Sequence, residues 1–116
     1  MGQLTTHVLD TYHGIPAEGV EIELTRLGPE PRRVAKARTN AQGRCDAPLL
    51  TGDALVAGQY ELAFQLDDYF RRRGVKLADP PFLSTVVIRI GIADAGAHYH
   101  VPLLATPWSY STYRGS

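Results

Sequence analysis

The chain has 116 residues, with 12 Lys plus Arg against 12 Asp plus Glu and so no formal net charge; nothing global in it favours nucleic acid or an anionic membrane surface. Its single cysteine, Cys45, excludes an intrachain disulfide framework and a cysteine-based structural zinc site. The length suits one domain, residues 1–116, and the absence of an apolar run of about 18 residues or of a leader-like start predicts a soluble, cytoplasmic protein.

Residues 3 to 12 alternate, with Thr5, His7 and Leu9 on one side and Leu4, Thr6 and Val8 on the other, which predicts a first strand. Gly14-Ile15-Pro16 and Gly19 mark a turn region. From Val20 to Leu24 the apolar residues face in and Glu21 and Glu23 face out, as in a half-solvated antiparallel strand. The basic stretch Arg32 to Thr39 reads as an edge strand, because charge on an edge discourages unwanted pairing.

Asn40-Ala41-Gln42-Gly43 is a turn that delivers Arg44, and Pro48 to Gly58 reads as loop. Tyr60, Leu62, Phe64 and Leu66 alternate with polar or small neighbours and form the clearest strand. A short helix is predicted at Tyr69 to Arg73, capped by Asp67 or Asp68 and stopped by Gly74. Thr85 to Ile92 is again a strand, and Asp94-Ala95-Gly96 turns the chain into His98. Seven or eight short strands, one helical turn, no internal repeat and no low-complexity linker predict an all-β sandwich.

The last stretch carries the chemistry. His98 and His100 share one strand face while Tyr99, Val101 and Leu103 share the other. Pro107 interrupts the ladder, and a second extended run, Trp108 to Arg114, follows. A polar Tyr113-Arg114-Gly115-Ser116 ending is odd as packing, since chain ends fray unless tied down, and reads better as part of a site.

Three of these segments, Leu4-Thr5-Thr6-His7-Val8-Leu9-Asp10, His98-Tyr99-His100-Val101-Pro102-Leu103-Leu104 and Tyr113-Arg114-Gly115-Ser116, stand as they do in the transthyretin-related family whose members are 5-hydroxyisourate hydrolases. The chain resembles that family over essentially its whole length. The turn ending in Gly43 and Arg44 also matches, with Gln42 in place of the commoner Asp. The resemblance implies a transthyretin-like (prealbumin-like) β-sandwich of two four-stranded sheets with one short helix.

It also implies which side chains act. His7 and His100 stand where the family places catalytic imidazoles, and Arg44, Tyr113 and Ser116 complete the expected catalytic set. His7, Arg44, Tyr113, Arg114 and Gly115 are expected to bind substrate, and His98 to support the site from behind. Tyr113 and Arg114 are neighbours on an extended segment and cannot both face one pocket; either the tail bends or one braces the other. His13, beside a turn glycine, reads as a structural hydrogen-bonding histidine, and Cys45 as a small buried hydrophobe rather than a nucleophile. The pair His98 and His100 offers two ligands where catalytic zinc usually has three, so no metal and no cofactor are expected.

The implied reaction is hydrolysis of 5-hydroxyisourate in urate catabolism: a base deprotonates water, donors hold the oxyanion, and an amide C–N bond opens. Two close histidines titrate as a unit, so the base is assigned to the pair His7 and His100 and not to one of them. The family assembles as a homotetramer, a dimer of dimers whose central channel holds the sites, which would shelter these polar groups. Partners are then the small-molecule substrate and further copies of the chain, with no nucleic acid and no membrane. The competing readings are a transthyretin-like carrier of an aromatic ligand, which a polar histidine lining disfavours, and a purely structural immunoglobulin-like domain, which leaves the tail unexplained.

Overall fold

Along β1, Gln3–Asp10, half-exposed and buried residues alternate without a break, so Leu4, Thr6 and Val8 face the core while Gln3, Thr5, His7 and Leu9 face out. The computed structural model, which describes residues 2–115, builds a two-layer sandwich on this pattern. After β1 come β2 (Ile15–Pro16), β3 (Glu21–Arg26), β4 (Arg32–Arg38), β5 (Leu50–Thr51), β6 (Gly58–Gln65), α1 (Leu66–Arg72), β7 (Thr85–Ile92), β8 (His98–Thr106) and β9 (Ser109–Thr112).

One sheet runs β4-β3-β6-β7, entirely antiparallel, with the basic β4 at its edge as the charge pattern predicts. The other runs β2-β1-β8-β9, with β5 also paired to β1. In it β1 and β8 are parallel, from Gln3 opposite His98 to Asp10 opposite Ala105. This second sheet therefore has five members and not four. The outer edge of β1 is partnered in pieces: β5 takes Gln3 and Leu4, the backbone of Arg44 takes His7, and β2 takes Leu9 and Asp10. Pro16 within β2, and Pro48 and Gly52 flanking β5, keep these pieces short. The expected loop from Pro48 to Gly58 thus holds β5 and a 3-10 turn, Gly52–Ala54.

Leu4, Val8, Tyr99, Val101 and Leu103 from one sheet meet Ile22, Leu24, Tyr60, Leu62, Phe64, Val86 and Ile88 from the other. The helix closes one end of this core with Leu66, Tyr69 and Phe70. It begins earlier than Tyr69, and neither Asp67 nor Asp68 caps it. The Ser84 carbonyl accepts from the Leu66 and Asp67 N–H groups at 3.0 and 3.2 Å, so the first orphan donors are already satisfied. The two aspartates lie inside the first turn, where the helix dipole favours negative charge.

Candidate active site

The site lies on the outer face of the parallel pair β1 and β8. Thr5 stands directly opposite His100 in the register, and its Oγ1 is 2.8 Å from His100 Nδ1. Beyond β9 the tail returns to β8: the Gly115 N–H donates to the His100 carbonyl at 2.8 Å and closes an isolated antiparallel bridge. A Cβ at position 115 would stand 2.6 Å from His100 Cδ2, so only glycine lets the backbone lie against the ring. The imidazole is thereby held along two edges.

His7, two residues after Thr5 on the same face, is bridged to Arg44. The turn before Arg44 is built by Asn40, whose Oδ1 accepts from the N–H groups of Gln42 and Arg44 at 3.0 and 3.2 Å. Gly43 has φ +75°, and a Cβ there would stand 2.3 Å from the Val8 carbonyl oxygen. The Gly43 carbonyl accepts from the Val8 N–H at 2.8 Å, which docks the whole turn on β1. His7 Nε2 lies 2.8 Å from the Gln42 carbonyl oxygen. A carbonyl only accepts, so Nε2 carries the proton and Nδ1 is the nitrogen left free in the neutral ring.

A cavity of about 420 Å³ opens on this face, lined by Thr5, Arg44, Cys45, His100, Tyr113 and Gly115 among others. His7 stands beside this lining; its charge, after burial and the charge of Arg44, is the third influence holding His100 below the ordinary histidine value. His100 is therefore a neutral imidazole near pH 7, free to accept a proton. Burial first, and then the neighbouring Asp46, push the Cys45 thiol up, which keeps it protonated and poorly nucleophilic.

The tail does not bend to bring both of its large side chains into the cavity. Tyr113 lines it and Arg114 does not: the Arg114 guanidinium carbon lies 4.2 Å above the Tyr99 ring and Nη2 donates to the His98 carbonyl at 3.2 Å, and both tail residues also border a second cavity beside Tyr99. Arg114 is a brace in this arrangement. His98 is exposed and contributes its backbone, not its imidazole, to that brace. His13 donates to Asp10 through both its backbone N–H and Nδ1, at 2.9 and 2.6 Å, far from this chemistry. Ser116, expected among the catalytic groups, lies outside the described residues. Among the described residues no three His, Cys, Asp or Glu side chains cluster as a metal site would need.

A family model described as "HIUase/Transthyretin family" matches residues 4–115. The chain belongs to this family. It is 60% identical over 117 aligned residues to a 5-hydroxyisourate hydrolase of Ralstonia nicotianae, with all of both chains covered. Among solved structures it resembles the Klebsiella pneumoniae 5-hydroxyisourate hydrolase, with a TM-score of 0.83, 38% identity and full coverage of both chains. It also resembles sea bream transthyretin in complex with thyroxine, with a TM-score of 0.86 and 25% identity over 97% of this chain and 94% of that one.

The family motifs located the two histidines, the arginine and the tail, but not what holds them. The sequence reads Thr5 as sharing the His7 face and Asn40 and Gln42 as part of the turn before Arg44, but not the hydrogen bonds they make to the site, since none of these groups carries a charge or a reactive atom. Strand alternation did hold a signal for Thr5, because it puts Thr5 and His7 on one face. That His100 would lie opposite needed the β1 to β8 register, which joins residues 95 apart in sequence.

Proposed function

We propose that this protein hydrolyses 5-hydroxyisourate to 2-oxo-4-hydroxy-4-carboxy-5-ureidoimidazoline, a step of urate catabolism. The observation that carries the reading is the convergence of His100, Arg44 and Tyr113 on one polar cavity, with His7 at its side, in a chain 60% identical to a 5-hydroxyisourate hydrolase. Hydrolysis of a cyclic amide needs water, a base and oxyanion donors, and calls on no cofactor or metal. In this reading the pair His7 and His100 supplies the base. Arg44 orients the carbonyl-rich edge of the substrate through its planar fork of donors and offsets developing negative charge. Tyr113 gives a hydroxyl donor from the tail, Ser116 is assigned the same role, and Gly115 lets the tail backbone approach.

The assembly proposed is a homotetramer, a dimer of dimers with the sites in the channel between them. The cavity lies on an open sheet face, β9 is exposed throughout, and Tyr12, Trp108, Tyr110 and Tyr113 are large exposed aromatics. Two-fold packing over that face would exclude water from the imidazoles. Folded monomers should then be inactive; fully active monomers would refute the shared channel. The same reading places the protein in the cytoplasm, and no helix among the described residues is long and apolar enough to cross a membrane.

The test is an ultraviolet time course in which urate is oxidised in situ and the decay of the hydroxyisourate is followed. The wild type should accelerate decay, and His7→Ala and His100→Ala, folded, should lose about 10²- to 10⁴-fold, the usual worth of a positioned base. A folded, assembled wild type that leaves the spontaneous rate unchanged would favour a carrier of an aromatic ligand in the same channel.

A further inference from the structure

An imidazole can act as a base only through a nitrogen whose lone pair is free, and a neutral ring has one such nitrogen. In His100 the two nitrogens have very different surroundings. Nδ1 is held at 2.8 Å by the Thr5 hydroxyl, and the Cδ2 edge is packed against Gly115. Nε2 has no hydrogen-bond partner among the described residues, and no buried side-chain nitrogen there lacks one, so Nε2 is open to the cavity that His100 lines.

The Thr5 hydroxyl can point its proton either way. If it donates to Nδ1, the proton of the neutral ring must sit on Nε2, and the open nitrogen has no lone pair to offer. If it accepts from Nδ1–H, Nε2 is basic. After Nε2 takes a proton both ring nitrogens are donors, and Nδ1–H still needs an acceptor. The accepting hydroxyl therefore serves the ring before and after the transfer with no rearrangement, which is what preorganisation requires.

We infer that Thr5 is a positioning residue for the reaction: its hydroxyl accepts the Nδ1–H of His100, which leaves Nε2 as the atom that takes the proton from water. This rests on the hydrolase reading above and sharpens it from a pair of histidines to one nitrogen. Water gives its proton to Nε2 while its oxygen bonds the ring carbonyl carbon. The amide C–N bond then breaks, its nitrogen takes the proton back from Nε2–H, and the imidazole ends neutral as it began. The charged and titratable groups around the ring are His7 on β1, Arg44 after the turn and Tyr113 on the tail. The Arg44 cation opposes the imidazolium, and the Thr5 acceptor is the neighbour that favours it.

The test compares Thr5→Val, which keeps the branched shape without the hydroxyl, with Thr5→Ser, which restores it. Thr5→Val should lower kcat about 10²-fold, with KM changed less than about twofold, and should move the acid limb of the kcat profile to lower pH, because the imidazolium has lost its acceptor. Thr5→Ser should recover kcat to within about threefold and return the limb. A Thr5→Val enzyme with the wild-type kcat, or a Thr5→Ser enzyme as slow as Thr5→Val, would overturn the inference. A second measurement needs no variant to fold: nitrogen shifts of histidine-labelled wild type should show His100 protonated at Nδ1 and bare at Nε2. An active wild type with the proton on Nε2 would overturn this inference alone, whereas an inactive wild type would overturn the hydrolase reading and this inference with it.

Discussion

Arg114 and Tyr99 are stacked, the guanidinium carbon 4.2 Å above the ring centroid. The contact ties the tail to β8 one residue after Tyr113, which lines the cavity, and one before Gly115, which bridges His100. An exposed cation–π contact is worth about 0.5–1 kcal/mol. Arg114→Ala should therefore loosen the tail, speed hydrogen exchange of the Gly115 amide and cost turnover about fivefold. Arg114→Lys should recover little, since an ammonium lacks the flat face and the fork of donors. A lysine variant with full activity and unchanged exchange would show that charge alone is used at this position.

Gly115→Ala should be more damaging than its size suggests. The added methyl meets His100 Cδ2 at 2.6 Å, so the ring must rotate or the bridge must open. Either movement displaces the imidazole proposed as base, a role worth about 10²- to 10⁴-fold, and the loss should fall on kcat. Melting temperature should change little, because the bridge lies at the periphery of the core. Wild-type kcat in the alanine variant would show that the tail approaches His100 less closely during turnover.

The pH profile should carry the mark of Arg44. Burial, then Arg44, then His7 hold His100 below the ordinary value of 6.5, so the neutral base persists to lower pH and the acid limb of kcat/KM should lie below that point. Arg44→Gln removes a repelling charge and should shift the limb upward while lowering the plateau. A limb that stays in place would mean that a different group is being titrated.

Fold stability should show a separate acid limb from Asp10, whose side chain is fully buried. Burial alone would raise its carboxyl, but donors from the His13 backbone, the His13 ring and the Tyr69 hydroxyl outweigh that and hold it below the ordinary 3.8. With the folded value depressed, this contribution is present above the unfolded value and is lost as pH falls through the folded one. Burial and the Asp10 contact push Tyr69 well above the ordinary range, so it remains a donor at 2.8 Å. Tyr69→Phe should cost about 1.5–3 kcal/mol at neutral pH. It should also bring acid unfolding to a higher pH, which melts across an acid series would check; equal melting temperatures at every pH would rule out this role.

The layers of the sandwich were legible because period-two patterns survive in β1, β3, β6 and β7, where one face is buried and the other wet. The start of the helix was not, because its first donors go to the Ser84 carbonyl, a partner that no local sequence signal announces. The same holds within the site. His7, Arg44, His100 and the tail stand in family motifs, whereas the seat of Arg114 was decided only by a ring, Tyr99, presented by a different strand. The candidate side chains were readable; the main-chain groups and hydroxyls that hold them were not.

The parallel pairing of β1 with β8 has a kinetic consequence. Thr5 and His100 are 95 positions apart, and Gly115 lies further still, so the candidate site is assembled from the earliest and the latest described parts of the chain. Loop closure over such a span is slow relative to local hairpins, and it comes after much of the antiparallel layer is able to form. Recovery of turnover during refolding should thus trail recovery of strand signal in circular dichroism.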